Sequence, residues 1–496
     1  MSSYQIEIGL AVIGVLLLAL DTFAASLSRK VIPCLAIGST AVLLLLLVGG
    51  PGIAAVLPKW VAPFYALDSL AYFYKVFALV TTLGVLIIAL ESDMVIAHYS
   101  SSQSIHSRIG EFYALPLIVC AGMMWMASAR DLVSVFVPLE LVTVSFYVLV
   151  AFTRRSGNSL EAGVKYLILG ALSTGILVYG IAWVYGATGS LTFDGIATAT
   201  TDPKVNSTAL LFGAALLLAG LGFKVGAAPF HIWIPDVYQG APTPITAFLS
   251  VGSKAAGFVV LTRTVTAFIG AGSVIGPQIR TTLVIVAGLT IAIGSLAAIT
   301  QTNLKRLLAY SSISHAGFLV LALACGTSQR LGLSSGGIVA FYLATYLPMT
   351  LLGFLLLAVL RSQGVGEELK DLTGLAKRSP TLGFALTVAM ASLAGLPLTA
   401  GFFGKMLVFV AAVDQGYYGA VVVAVIGAAA GFYYYFRPIL AVYSTGEKDN
   451  VKLTWSPLAK GTAAVLIAGI ILLGVNPMVL QFVLNRAPAT VAAAKM

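Results

Sequence analysis

Fourteen stretches of this 496-residue sequence are apolar over a length that can cross a bilayer as a helix, which takes about 20 residues. They lie near 5–27, 31–50, 66–90, 111–129, 131–152, 160–187, 208–228, 243–269, 278–300, 303–326, 334–361, 380–410, 416–443 and 457–484. In hydrocarbon every backbone N–H and C=O must be satisfied inside the protein, and runs without polar alternation meet that demand as helices. Composition agrees: 59% of the residues are apolar and 9% charged, too little polar surface for a soluble chain of this length. The expected fold class is all-α, a polytopic membrane protein of about 14 transmembrane helices. The longest polar loop, near 362–379, is too short to fold alone.

The formal charge of +10 does not indicate nucleic acid, because the 28 basic residues are spread along the chain without a cluster. Their distribution between loops is uneven. Odd-numbered loops and their flanks hold Arg29, Lys30, Arg108, Arg154, Arg155, Lys305, Arg306, Arg361, Lys370, Lys377, Arg378, Lys448, Lys452 and Lys460. Even-numbered ones hold Lys59, Arg130, Lys204, Arg280 and Arg330. Lys and Arg accumulate in cytoplasmic loops, so the odd loops are expected there and both termini on the opposite side of a bacterial inner membrane. The N-terminus has no basic n-region and carries Glu7, so the first run is expected to remain as a helix rather than be cleaved. Cys34, Cys120 and Cys325 stand singly in apolar runs and read as small buried packing residues, with no metal or disulfide pattern.

Internal similarity subdivides the chain. Asp131-Leu132 resembles Asn303-Leu304, Tyr166-Leu167 resembles Tyr342-Leu343, and Lys224 is matched with Lys405, at a slowly drifting separation. Spans 4–8 and 9–13 are therefore expected to be two copies of a five-helix unit, inverted because an odd number of crossings separates them. The division is 1–110 for the first three helices, 111–269 and 278–443 for the repeats, and 444–496 for the last helix. Helices 7 and 12 are expected to be broken. Pro229, Pro235, Pro242 and Pro244 interrupt the first, and Gly395, Pro397, Gly401 and Gly404 the second. Irregular backbone at membrane depth survives where it is buried in protein or lines a wet cavity.

Both breaks adjoin a lysine, and ionisable residues recur deep in the spans: Glu140, Lys165, Lys224, Lys254, His315 and Lys405, then Asp21, Lys75, Arg263 and Arg437. A charge at a helix centre costs about 2.5–3.5 kcal/mol on insertion scales, so such groups are functional by default. Each has a plainer alternative. Glu140 could be half of a structural ion pair, Lys224 could snorkel to the interface, and Lys254 sits among small residues that favour helix packing. Lys405 could be a helix-end lysine. His231 and His315 could be packing groups, and Lys165 could pair with Glu161 one turn away. Carboxylates, amines and imidazoles in low dielectric are nevertheless groups whose protonation can be switched, so the expected activity is ion movement, most simply of protons.

The segments GFKVGAAPFHIWIPDVYQGAPTP, LSVGSKAAGF, QTNLKRLLAYSSISHAGFL and SLAGLPLTAGFFGK occur in this order. Together they resemble the antiporter-like membrane subunits of respiratory complex I (NADH:quinone oxidoreductase), over about residues 60–440. Lys254 in span 8 and Lys405 in span 12 are similar to the N type rather than the L and M types, and the chain stops soon after span 14, without the L type's lateral helix. The resemblance implies a proton-translocating subunit in which Glu140 and Lys224 gate uptake as a pair, Lys254 connects, and Lys405 lies at the exit. It further matches Lys165 to a lysine near the span 5 glutamate and His231 to the histidine after the span 7 break. One departure is Leu398, where a second proline is common. No cofactor is expected on this chain, which has neither a Walker motif nor a strand-bounded G-x-G-x-x-G; NADH, flavin, iron–sulfur clusters and quinone would sit in partner subunits. The expected partners are other membrane subunits of complex I, especially antiporter-like and small helical ones, and the bilayer. A Na+/H+ antiporter subunit, the membrane arm of an energy-converting hydrogenase, and an inert scaffold are the other readings.

Overall fold

The computed structural model describes residues 3–23, 29–49, 57–100, 109–445 and 452–477. Arg108 and Lys448, both part of the loop charge bias, and the far end of the last span lie outside the described residues. The helices are α1 (Ser3–Phe23), α2 (Val31–Gly49), α3 (Ser69–Glu91), α4 (Asp93–Tyr99), α5 (Glu111–Ser128), α6 (Leu132–Val150), α7 (Gly157–Thr188), α8 (Phe193–Ala199), α9 (Ser207–Val225) and α10 (Ile234–Gly240). They continue with α11 (Thr243–Phe248), α12 (Lys254–Phe268), α13 (Gly276–Ile299), α14 (Leu304–Cys325), α15 (Ser335–Ser362), α16 (Leu375–Arg378), α17 (Pro380–Ala394), α18 (Ala400–Asp414), α19 (Tyr418–Tyr443) and α20 (Pro457–Val475). Among the described residues, thirteen helices are long and apolar enough to cross a membrane, α11 and α12 counting as one. The twelfth expected span is not among them because its break divides it into α17 and α18, each shorter than a crossing. Adding it gives the expected 14 crossings.

The eighth span (α11, a π-turn at Leu249–Ser253, then α12), α14 and α15 are buried almost all round, as helices apolar on every face should be. They form the centre of the molecule. In contrast, α1, α2, α7, α19 and α20 expose Leu, Val and Ile to the outside. Cys34 departs from expectation: it is exposed on α2, whereas Cys120 and Cys325 are buried. On an outward-facing membrane helix an apolar surrounding exists without protein neighbours, so a small apolar residue need not be packed.

Paired local bonds reveal the repeat. Asp131 caps α6, accepting from Val133 and Ser134 N, and Asn303 caps α14, accepting from Arg306 N. Beside the first cap, Leu132 N donates to Leu191 O and Phe193 N to Arg130 O. Beside the second, Leu304 N donates to Glu367 O and Leu369 N to Thr302 O. Arg263 donates to Ala127 O near the end of α5 (2.7 Å), and Arg437 to Ile299 O at the end of α13 (2.5 Å). Both arginines therefore meet helix C-terminal carbonyls, where cations are favoured.

The two breaks begin alike. Gly226 (φ 77°) and Gly395 (φ 91°) end α9 and α17 in left-handed conformations. Ala227 N then reaches back to Gly222 O (2.8 Å), and Leu396 N to Ala391 O (3.1 Å). This register corrects one expectation: Lys224 and Lys405 are not equivalent positions. Lys224 precedes its break, on α9, and Lys405 follows its own, on α18.

Candidate functional site

Backbone groups released at the first break are met internally. Trp233 Nε1 donates to Phe223 O (3.0 Å), Ser173 Oγ to Gly220 O (3.1 Å), and Ala228 N to Thr290 Oγ1 on α13 (2.9 Å). Tyr166 stacks on Trp233 and fixes the indole. The end of α9 is thereby held against α7 and α13, and Lys224, buried, donates to Thr143 Oγ1 of α6 at 2.5 Å. Glu140, one turn earlier on α6 and partly buried, accepts from Thr174 Oγ1 of α7 at 2.8 Å. Glu140 and Lys224 feel each other's charge, but no direct ion pair joins them among the described residues. Thr143, a turn along from Glu140, takes the ammonium instead.

Lys254 comes directly after the π-turn. A π-turn inserts one residue into a helix and rotates the residues beyond it, and here it points Lys254 at α14. Its Nζ donates to Ser312 O at 2.5 Å and to Ser312 Oγ, and lies 5.4 Å from the Tyr346 ring centroid. Ser250, inside the π-turn, is 3.0 Å from Tyr346 OH and 3.5 Å from Ser312 Oγ. One turn along α14, His315 places Nδ1 2.7 Å from Tyr342 OH and Nε2 3.2 Å from Tyr435 OH. Phe318 stacks on Tyr342 and lies under the Lys405 ammonium, 5.9 Å from it. Lys405 Nζ donates to the last carbonyls of α17, Leu393 O (3.0 Å) and Ala394 O (2.8 Å). The second break thus leaves free carbonyls at the negative end of a half-helix, and the lysine occupies it.

Four expected residues therefore fall on one buried line: Lys224 beside the first break, Lys254 and His315 at the centre, and Lys405 at the second break, with Glu140 at its partly buried start. Two do not join it. Lys165 bonds Glu161 and Asp236, each at 2.7 Å, in a partly exposed network that continues to Arg306. It sits nine residues before Thr174 on α7, about 13 Å along the helix from the contact to Glu140, so it is not beside that glutamate. His231 lies in the break itself, with Nδ1 buried and without a hydrogen-bond partner among the described residues.

Sequence reading missed the hydroxyls that join the charges: Thr143, Thr174, Ser250, Ser312, Tyr342, Tyr346 and Tyr435. The one available signal was the run of serines in AYSSISHAGF, polar residues facing the interior of a membrane helix. Arg263 and Arg437 cap helix ends and stand apart from the line. Lys75 belongs to a separate group.

The family model described as NADH:quinone oxidoreductase/Mrp antiporter, TM, matches residues 129–431. A curated relative from Trichlorobacter lovleyi, NADH-quinone oxidoreductase subunit N, is 40% identical over 96% of this chain and 94% of its own. Among solved structures, a chain of respiratory complex I from Thermus thermophilus with bound aureothin superposes with a TM-score of 0.79 at 33% identity, covering 98% of this chain and 100% of that one. A chain of the Mrp complex from Dietzia sp. DQ12-45-1b is similar at a TM-score of 0.80, over 98% of this chain and 96% of its own. Its 20% identity makes that a likeness of fold.

Proposed function

This chain belongs to the NADH:quinone oxidoreductase/Mrp antiporter transmembrane family, and from that premise we propose that it is the N-type proton-translocating subunit of an NADH:quinone oxidoreductase. It is a multi-span membrane subunit of a respiratory oxidoreductase complex. In this reading Glu140, Lys224, Lys254, His315 and Lys405 carry the proton, while Lys165 and His231 flank the entry without lying on the line.

The observation that carries the proposal is the set of partners around the central lysines. Lys254 and Lys405 are buried, and their hydrogen-bond acceptors are all neutral carbonyl or hydroxyl oxygens. A structural ammonium at such depth is ordinarily matched by a carboxylate, because removing either partner leaves an uncompensated buried charge. An amine held by neutral oxygens can give up its proton without stranding an anion. Hydroxyls of Ser312, Ser250 and Tyr346 offer donor and acceptor positions beside Lys254, and His315 lies between that lysine and Lys405, within the electrostatic reach of both. Like charges repel along this line, so a proton arriving at one group favours departure from the next. Glu140 provides the opposite charge at the other end.

Energy for the movement would come from partners. Outward transfer against a membrane potential requires about 2.3 kcal/mol per charge per 100 mV. We assign NADH, flavin, iron–sulfur clusters and quinone to other subunits of the complex, a reading supported by three cysteines that stand apart in sequence. Antiporter-like and small helical membrane subunits fit the apolar outer faces, and the loop charge bias supports both termini on the non-cytoplasmic side of a bacterial inner membrane. The paired caps support the division at 111–269 and 278–443.

The test is NADH-driven proton uptake into inverted membrane vesicles, recorded with quinone reduction, for Lys254→Met and Glu140→Gln. Loss of uptake in an assembled complex is expected. Unchanged uptake in both variants would reduce the chain to a scaffold, and a requirement for sodium without a redox partner would favour the antiporter reading.

A further inference from the structure

The N-terminal helices hold a second charged group, away from the central line. Glu7 on α1 and Lys75 on α3 pair at 2.9 Å, with side chains 2% and 1% exposed. Lys75 Nζ also donates to Tyr65 OH (2.5 Å) and Ser3 Oγ (2.8 Å), so all three ammonium protons are used. Tyr65 OH in turn donates to Glu7 Oε1 at 2.8 Å. Every bond to the glutamate falls on that one oxygen. Oε2 is buried and has no hydrogen-bond partner among the described residues.

That asymmetry is not what a purely structural ion pair requires. Buried carboxylates are normally satisfied at both oxygens, and helices could be tied together by an apolar contact of similar volume at no loss. A bare, enclosed carboxylate oxygen is instead the place where a proton would attach. The group lies close to the membrane face at which α3 begins. Tyr65 lies in the segment before α3, and Asp68, the N-cap of α3, is a third exposed and holds Arg263 through two bonds of 2.9 and 3.0 Å. Asp68 and Arg263 both act electrostatically on Lys75, and Cys120 on α5 lies within reach of the Glu7 charge.

We propose that Glu7, with Lys75 and Tyr65, is a second proton-exchange site, loaded from the membrane face at which α1 and α3 begin. A proton from water at the Asp68 face adds to Glu7 Oε2 and turns carboxylate into carboxylic acid; its departure restores the ion pair. Lys75 keeps its bonds to Tyr65 and Ser3 in both states. This rests on the reading of the chain as a proton-translocating subunit.

The experiment is redox-induced infrared difference spectroscopy on the intact complex in membranes, with protons moved per NADH oxidised measured on the same preparations. A protonated-carboxyl band present in wild type and lost in Glu7→Gln is expected, with fewer protons per NADH. An unchanged band and unchanged proton yield in Glu7→Gln would overturn the proposal and leave a structural pair. Should Glu7→Gln not assemble, Tyr65→Phe decides, since it removes one bond to Glu7 and keeps the ion pair: a shifted band supports exchange, and an unshifted one overturns it. Lys254→Met, run in parallel, separates the two readings. Pumping lost there but wild-type in Glu7→Gln sinks only this site; pumping retained in Lys254→Met sinks the translocation reading itself.

Discussion

Individual lysines and arginines in this membrane protein behave according to what they touch. Arg263 has a carboxylate and a helix-end carbonyl, whereas Lys254 has neutral oxygens alone. Lys254→Arg keeps a charge but cannot release a proton at accessible pH, so proton uptake should fall about as far as in Lys254→Met, roughly tenfold or more. Recovery with arginine would show that charge, not exchange, is what the position supplies. Asp68 gives a different pH response. Partial burial works against its charge, but the Arg263 guanidinium beside it, with the Ala71 N–H, holds the carboxyl below its usual value. A depressed carboxylate contributes stability that is complete above its unfolded value, about 3.9, and is lost as pH falls through the folded one. Thermal unfolding of the complex should therefore lose an acid-side component in Asp68→Asn, read as a smaller change in melting temperature between pH 5 and pH 3. Leu398 supplies a third case. The sequence departs there from a common proline, and the residue has φ 67°, which proline cannot adopt and which costs leucine about 1–2 kcal/mol. Leu398→Gly should raise the unfolding free energy by about 1 kcal/mol. No gain would mean that the exposed leucine side chain makes compensating contacts.

Helices were largely legible because their causes are local. Length and apolarity located every span, proline and glycine located both breaks, and the likeness of Asp131-Leu132 to Asn303-Leu304 marked two positions that the structure shows to be matching caps. What could not be read is what depends on the partner across a helix interface. Nothing in LSVGSKAAGF signals a π-turn, so the aim of Lys254 at Ser312 was hidden. That Thr143 rather than Glu140 accepts from Lys224 was equally hidden, and the match of Lys224 to Lys405 failed because the glycine of each break, not its lysine, holds the repeat register. Close approaches at the element scale are equally invisible in sequence. A Cβ on Gly294 of α13 would lie 2.4 Å from Ser314 N on α14, beside His315. Backbone cannot swing aside as a side chain can, so Gly294→Ala should part α13 from α14 at a cost of about 1–3 kcal/mol. Reduced complex assembly on native gels would report it, and wild-type assembly would mean that the two helices slide freely.

At the scale of the molecule, the three most deeply buried helical segments carry the centre of the charged line, and the two breaks sit at its sides. At both breaks, freed carbonyls and N–H groups bind Trp233, Thr290 and Lys405 rather than lipid. Such a line has one distinctive consequence. If the proton must visit Lys254, the His315 region and Lys405 in series, removing any one group stops the same flux, and removing a second takes nothing more away. Residues that act as a unit are non-additive in this way. Lys254→Met and Lys405→Met should each reduce proton uptake by about tenfold or more, equivalent to at least about 1.4 kcal/mol in the barrier. The double variant should be no worse than the poorer single one. Two independent routes predict the opposite: partial losses in the single variants that multiply in the double. Measuring uptake at equal quinone-reduction rates keeps assembly defects from imitating either pattern, so the comparison decides whether the buried groups form one path.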